Sequence, residues 1–291
     1  MSVPGNPQSN VALVKKPAWL RKKIGFSAVG ALKGELRQKH LHTVCESAKC
    51  PNIGECFSHG TATFLILGNA CTRTCAFCAV DKGATAMPDP HEPENVAAMS
   101  ARLNLRHVVI TSVTRDDLPD GGALHYVRTV EAVRAKLPGA VVELLIPDFD
   151  GNTAALDAVL SIRPEILNHN VETVPSLYPR VRPQADFARS LDVLRRAAGC
   201  GIIAKSGMMA GLGETDDELV NAMERLKDTG VKIFTLGQYL APSRRHAPVV
   251  EYKEEAWFEN MARAARSIGI EKVMAGPFVR SSYLAEKAGA L

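Results

Sequence analysis

The chain has 291 residues, 46% of them apolar and 23% charged, with 35 basic against 31 acidic residues and a formal net charge of +4. This composition fits a globular protein with a sizeable core, and α/β barrels reach such a length as a single domain. No apolar run reaches the ~20 residues of a membrane span, and no nucleic-acid-binding motif accompanies the mild positive charge.

Residues 1–16, with Pro4, Gly5 and Pro7, read as a loose arm. They show neither the apolar stretch of a secretory signal nor an arginine-rich amphipathic pattern, so a cytoplasmic location is expected. Lys15, Lys16, Arg21, Lys22 and Lys23 flank Trp19. This is a solvated basic segment, a docking patch for an acidic carrier, or a cover over a metal centre. A helix is expected from Gly34 to Val44.

Six of the seven cysteines follow within one stretch. Cys45, Cys50 and Cys56 are spaced C-x4-C-x5-C, and Cys71, Cys75 and Cys78 are spaced C-x3-C-x2-C. Each group supplies three thiolates. A structural zinc site closes on four ligands and an electron-transfer iron–sulfur cluster takes four cysteines. A cubane on three cysteines leaves one iron open for chemistry. Disulfides are disfavoured in a reducing compartment; zinc and a non-enzymatic iron–sulfur carrier stay as alternatives on spacing alone. Cys200 stands outside both groups and reads as a small buried hydrophobe.

From Phe64 onward strands and helices alternate. Strands are expected at 63–68, 107–113, 141–147, 165–173, 202–211, 232–240 and 272–277. Helices are expected at 95–103, 122–136, 154–162, 188–198, 216–229 and 254–267. Thr215 and Glu218 form a capping box for the helix beginning at Asp216. The alternation predicts an α/β fold, an open partial barrel of about six parallel β/α units with N- and C-terminal extensions. Residues 1–60 would carry the first cysteines, 61–270 the barrel and 271–291 the C-terminal extension. The dinucleotide fingerprint is absent, since the segment from Gly211 to Asp216 lacks the third glycine. Polar residues at strand ends face the reaction space of such barrels: Thr111, Ser112, Arg115, Asp116, Asp117, Asn168, Asn170, Glu172, Lys205, Ser206 and Gln238.

Cys71-x3-Cys75-Ala76-Phe77-Cys78, with its aromatic Phe77, resembles the signature of the radical S-adenosylmethionine superfamily. The upstream spacing on Cys45, Cys50 and Cys56 resembles the second-cluster motif of the lipoyl synthase family. Segments such as TSVTRDDLPDGGA, HNVETV, KSGMMAGLGET and GQYLAPS extend the likeness from about residue 40 to the end. The likeness implies two 4Fe-4S clusters, the catalytic one on Cys71, Cys75 and Cys78. The auxiliary one would sit on Cys45, Cys50 and Cys56, with Ser282 of Arg280-Ser281-Ser282-Tyr283 as fourth ligand. A serine oxygen is a hard, weak partner for iron, suited to a cluster that gives up sulfur.

The likeness also implies that Asn170 and Glu172 contact S-adenosylmethionine, with Phe77, Thr111, Ser112, Arg189 and Lys205 as further candidates. Met208 and Met209 would line an octanoyl channel or serve the core. The implied reaction is radical insertion of two sulfurs at C6 and C8 of a protein-bound octanoyl chain. Implied partners are octanoylated lipoyl carrier domains (E2 subunits of dehydrogenase complexes, the glycine-cleavage H protein), flavodoxin or ferredoxin as electron donor, and iron–sulfur assembly proteins; neither nucleic acid nor membrane is expected. A biotin-synthase-like enzyme acting on a free small molecule is the nearest alternative.

Overall fold

The computed structural model describes residues 15–20, 26–48, 50–58 and 63–282. The N-terminal arm before Lys15, the basic residues Arg21, Lys22 and Lys23, and Tyr283 of the C-terminal motif lie outside the described residues.

In the N-terminal part α1 (Phe26–Gln38) leads to β1 (His42–Thr43), α2 (Val44–Ser47) and α3 (Ile53–Ser58). The helix expected to run to Val44 stops at Gln38, because the backbone turns left-handed at His40, φ 54°. Thr43 then caps α2, its Oγ1 accepting from the Glu46 amide at 3.3 Å.

The main sheet has eight strands in the order β1, β2 (Thr63–Ile66), β5 (His107–Ser112), β6 (Val141–Leu145), β7 (Ile166–Asn168), β8 (Ile203–Ala210), β9 (Ile233–Gln238) and β10 (Lys272–Gly276). Between β2 and β5 a small two-stranded ladder pairs β3 (Ala70–Cys71) with β4 (Asp81–Lys82). β1 runs antiparallel to β2, and every other neighbouring pair is parallel. The order ends on β10, which does not pair back to β1, so the barrel is open, as expected from the sequence.

The crossovers are α4 (Glu92–Arg102), α5 (Ala123–Lys136), α6 (Thr153–Ser161), a short α7 (Tyr178–Val181) followed by α8 (Phe187–Gly199), α9 (Asp216–Asp228) and α10 (Glu255–Ser267). That makes six β/α units and a seventh parallel strand. Local chemistry sets the helix starts. Asn152 and Asp186 cap α6 and α8, and the capping box of α9 is complete, with the Thr215 amide donating to Glu218 Oε2 at 2.9 Å.

The strands alternate with period two. Phe64, Ile66, Ile110 and Leu144 turn outward and are buried with Val96, Met99 and Tyr126 of the helices. Leu65, Thr111, Leu145, Gly207, Thr235 and Gly237 line the interior. Strands covered on both faces read as near-continuous apolar runs, which is why TFLI at β2 was legible as a strand.

Candidate active site

At the carboxyl end of the strands lies a cavity of about 520 Å³. All six clustered cysteines line it, together with Phe77, Thr111, Ser112, Asn170, Glu172, Met208, Met209, Ser281 and Ser282. Every one of the seven cysteines is a free thiol. Among the described residues no three His, Cys, Asp or Glu side chains converge tightly enough for a single metal ion. A cubane presents each thiolate with its own iron, whereas tetrahedral zinc needs all its sulfurs within about 2.3 Å of one point.

The first triad is set by two tight turns. The Cys50 amide donates to the Cys45 carbonyl at 3.0 Å and the Cys56 amide to that of Asn52 at 2.9 Å. Burial pushes the Cys45 thiol up to about 12, with Cys50 adding to the rise. The C-terminal segment closes over this triad. Asn52 Nδ2 donates to the Phe278 carbonyl at 2.7 Å, and Val279 packs on Gly237, bringing Ser281 and Ser282 to the cavity. Arg280 lies here too; burial lowers its pKa and the nearby Cys50 opposes this.

The second triad begins with Cys71, the last residue of β3, and continues on the loop that follows; burial pushes Cys78 up to about 11 and raises Cys75. Inside this loop Arg73 forks onto Asp116, at 2.7 and 2.9 Å, and bridges to Asp148 at 2.7 Å. Arg73 is 5% exposed, and it holds the Asp148 carboxyl below its usual range against the opposing effect of burial. Phe77 packs against Val181, Leu212, Tyr239 and Val249.

Beyond β7 the chain leaves the ladder and rejoins β8 at Glu172, which pairs with Met208 in a left-handed backbone, φ 64°. A carboxylate-bearing residue held there costs roughly 1–2 kcal/mol, a strain typical of functional positions. Beneath this turn Arg182 donates from Nη1 to the carbonyls of Asn170 and Val171 at 3.1 and 3.0 Å and to the Tyr178 hydroxyl at 3.1 Å. Burial raises the Glu172 carboxyl, and Arg182 partly offsets this.

Several cavity-side polar atoms have no partner among the described residues: Asn170 Oδ1, His169 Nε2 and Arg182 Nε. Buried polar atoms take partners, so a polar ligand with both donors and acceptors fits this wall. Gly207 makes the room, since a Cβ there would come within 2.5 Å of Thr235 Oγ1 and 2.9 Å of Asn170 Oδ1. The donor set, two cysteine triads with Ser281, Ser282 and an amphoteric wall on one cavity, fits two clusters and a nucleoside–amino-acid ligand.

Over residues 65–226 the sequence matches the Radical SAM superfamily. It is 53% identical over 280 residues to lipoyl synthase of Oleidesulfovibrio alaskensis, covering 95% of each chain. It is 49% identical over 275 residues to lipoyl synthase of Caldanaerobacter subterraneus subsp. tengcongensis, covering 94% of this chain and 96% of that one. The chain belongs to the lipoyl synthase family. Membership of the radical S-adenosylmethionine superfamily implies S-adenosylmethionine and 4Fe-4S clusters as cofactors. Among solved structures the fold is similar to methylornithine synthase (PylB), with a TM-score of 0.56, 14% identity and coverage of 84% of this chain and 74% of that one. It is also similar to Streptococcus suis SuiB bound to S-adenosylmethionine, with a TM-score of 0.52, 10% identity and coverage of 81% and 51%. At such identities these likenesses speak for the fold alone.

Two expected ligand contacts stand elsewhere in this lipoyl synthase family member. Lys205 is fully buried deeper in the barrel, its Nζ 2.7 Å from Glu143 Oε1, and it is absent from the cavity wall. Arg189, on α8, pairs with Asp150 and, at 3.4 Å, with Asp148, and it too is absent from the wall. Both cations are committed to carboxylates. Arg73, Asp148, His169 and Arg182 line the site and were missed. A basic residue inside the cysteine loop was a signal for Arg73; nothing local marks Arg182.

Proposed function

We infer that the protein is a lipoyl synthase, inserting sulfur at C6 and C8 of an octanoyl chain held on a lipoyl carrier domain. The observation that carries this reading is the meeting of both cysteine triads and Ser282 on one cavity. Cys71, Cys75 and Cys78 would hold the catalytic cluster, and Cys45, Cys50, Cys56 and Ser282 the auxiliary one. When bound, these clusters and S-adenosylmethionine supply the radical hydrogen abstraction and the sulfur.

The chain's own residues bind, orient and exclude water. Asn170, Glu172 and Arg182 offer acceptors and donors to the polar ends of S-adenosylmethionine, and Thr111 and Ser112 line the same cavity. Val113, Leu145, Met209 and Leu240 give an apolar wall for an octanoyl chain. The open side of the barrel suits a substrate tethered to another protein. We keep 1–60, 61–270 and 271–291 as functional regions, although β1 and β10 tie both outer regions into the main sheet. The finer partners follow from the same reading: E2 subunits, the glycine-cleavage H protein, a flavodoxin or ferredoxin, and iron–sulfur assembly proteins. Among the described residues no helix is long and apolar enough to cross a membrane, and free thiols suit a cytoplasmic enzyme.

The test is iron and acid-labile sulfide per chain after anaerobic reconstitution, in the parent and in variants with either triad changed to alanine. About eight irons, falling to about four in each variant, support the reading. About four irons unaffected by loss of Cys45, Cys50 and Cys56 overturn it.

A further inference from the structure

We propose that His246 is a positioning residue for the cluster loop of Cys75 and Cys78. The inference rests on the assignment of a cluster to Cys71, Cys75 and Cys78. The backbone of this loop is held from three directions. The Ala76 amide donates to the Val181 carbonyl at 2.9 Å, the Ala247 amide donates to the Ala76 carbonyl at 2.8 Å, and Lys82 Nζ donates to the Cys75 carbonyl at 3.0 Å. A further contact is made by His246, from 168 residues away, with Nε2 at 3.2 Å from the Cys78 carbonyl.

The protonation pattern follows from the partners. A carbonyl only accepts, so Nε2 carries the hydrogen, and Nδ1 is then the acceptor in the neutral ring. Ser243 Oγ stands 2.8 Å from Nδ1 and donates to it, while its lone pair accepts from the Arg245 amide at 3.2 Å. The short Ser243–Ala247 turn therefore fixes both the tautomer and the ring orientation. The Tyr239 hydroxyl holds the far side of the same turn through the Ala247 carbonyl, at 2.8 Å. That anchor does not involve His246, so the turn persists when the imidazole is removed.

The Cys78 carbonyl belongs to a residue whose thiolate faces the cavity. With its oxygen held by His246, that peptide keeps one orientation, and the hydrogen bond offsets part of the carbonyl's negative charge beside the cluster loop. Partners that orient ligand residues are worth about 10- to 100-fold in metal affinity, and hydrogen bonding and dipoles around a cluster tune its potential.

The experiment uses the full chain carrying Cys45→Ala, Cys50→Ala and Cys56→Ala, so that a single cluster remains. His246→Ala, His246→Gln, His246→Asn and Ser243→Ala are added to it separately. The readouts are iron release to a chelator, the electron paramagnetic resonance of the reduced cluster, and its midpoint potential; circular dichroism monitors folding. His246→Ala is expected to release iron about tenfold faster or more, with an altered spectrum and a lower potential. Glutamine, whose amide N–H mimics Nε2–H, restores the parent values; asparagine, which reaches only to the Nδ1 position, does not. Ser243→Ala gives a smaller change in the same direction. Parent-like release, spectrum and potential in His246→Ala overturn the proposal. A cluster absent from the parent variant itself overturns the cluster assignment and the proposal with it.

Discussion

The Val279 carbonyl oxygen occupies the space where Gly237 would carry a side chain: a Cβ there would stand 2.1 Å from it and 3.0 Å from Arg280 Nη1. This contact seats the C-terminal segment on the barrel, so that Ser282 lines the same cavity as the first triad. Gly237→Ala is expected to lift the segment, with an overpacking cost of about 1–3 kcal/mol. Sulfur insertion falls and auxiliary iron becomes labile, while S-adenosylmethionine cleavage is retained. Iron content and 5′-deoxyadenosine formation, measured on the same sample, check this; unchanged product and iron would remove Ser282 from the scheme.

Gly207, on the neighbouring strand β8, makes room for the ligand wall in a comparable way. Gly207→Ala pushes against Thr235 and Asn170, leaving the triads untouched. Misplacement by about 1 Å can cost about 10²-fold in turnover, so 5′-deoxyadenosine formation should fall by that order. Iron per chain should stay at the parent value. Loss of iron in this variant would contradict the separation of the two roles.

Glu143 and Lys205 form an ion pair with no exposure of either side chain, and His107 Nε2 lies 3.2 Å from the same carboxylate. Burial alone would raise the Glu143 pKa; Lys205, then His107, bring it below the ordinary range. Lys205→Met should destabilise by about 3–5 kcal/mol, because a buried charge loses its partner. Lys205→Met with Glu143→Leu should recover most of that loss. Urea denaturation of the anaerobic apoprotein measures both, and an additive double variant would sink the pairing argument.

His169 gives a pH signature. Burial, and then the charge of Arg182, lower its pKa from 6.5 to about 4. The unfolded chain therefore binds the proton first as pH falls, and stability drops between those two values and levels off below the lower one. The full span is worth about 3 kcal/mol. The same denaturation at about pH 7 and about pH 5 should show the drop, and His169→Gln should lack that part of it.

Local patterns in the sequence determined much of this protein. The cysteine spacings, the alternation of strands and helices and the capping box at Thr215 were legible because each depends on neighbours a few residues apart. Only the tertiary structure decided which charges reach the cavity. Lys205 reads as a polar residue near a strand end and Arg189 enters through the family likeness, yet one is consumed by Glu143 two strands away and the other by Asp148 and Asp150. Arg182 carried no local mark and became part of the site because the short turn of α7 tucks it under Asn170. The junction of the triads with Ser282 depends on Asn52 meeting Phe278 across 226 residues. Strand register and close backbone approach fix such pairings, and neither leaves a periodic trace in the chain.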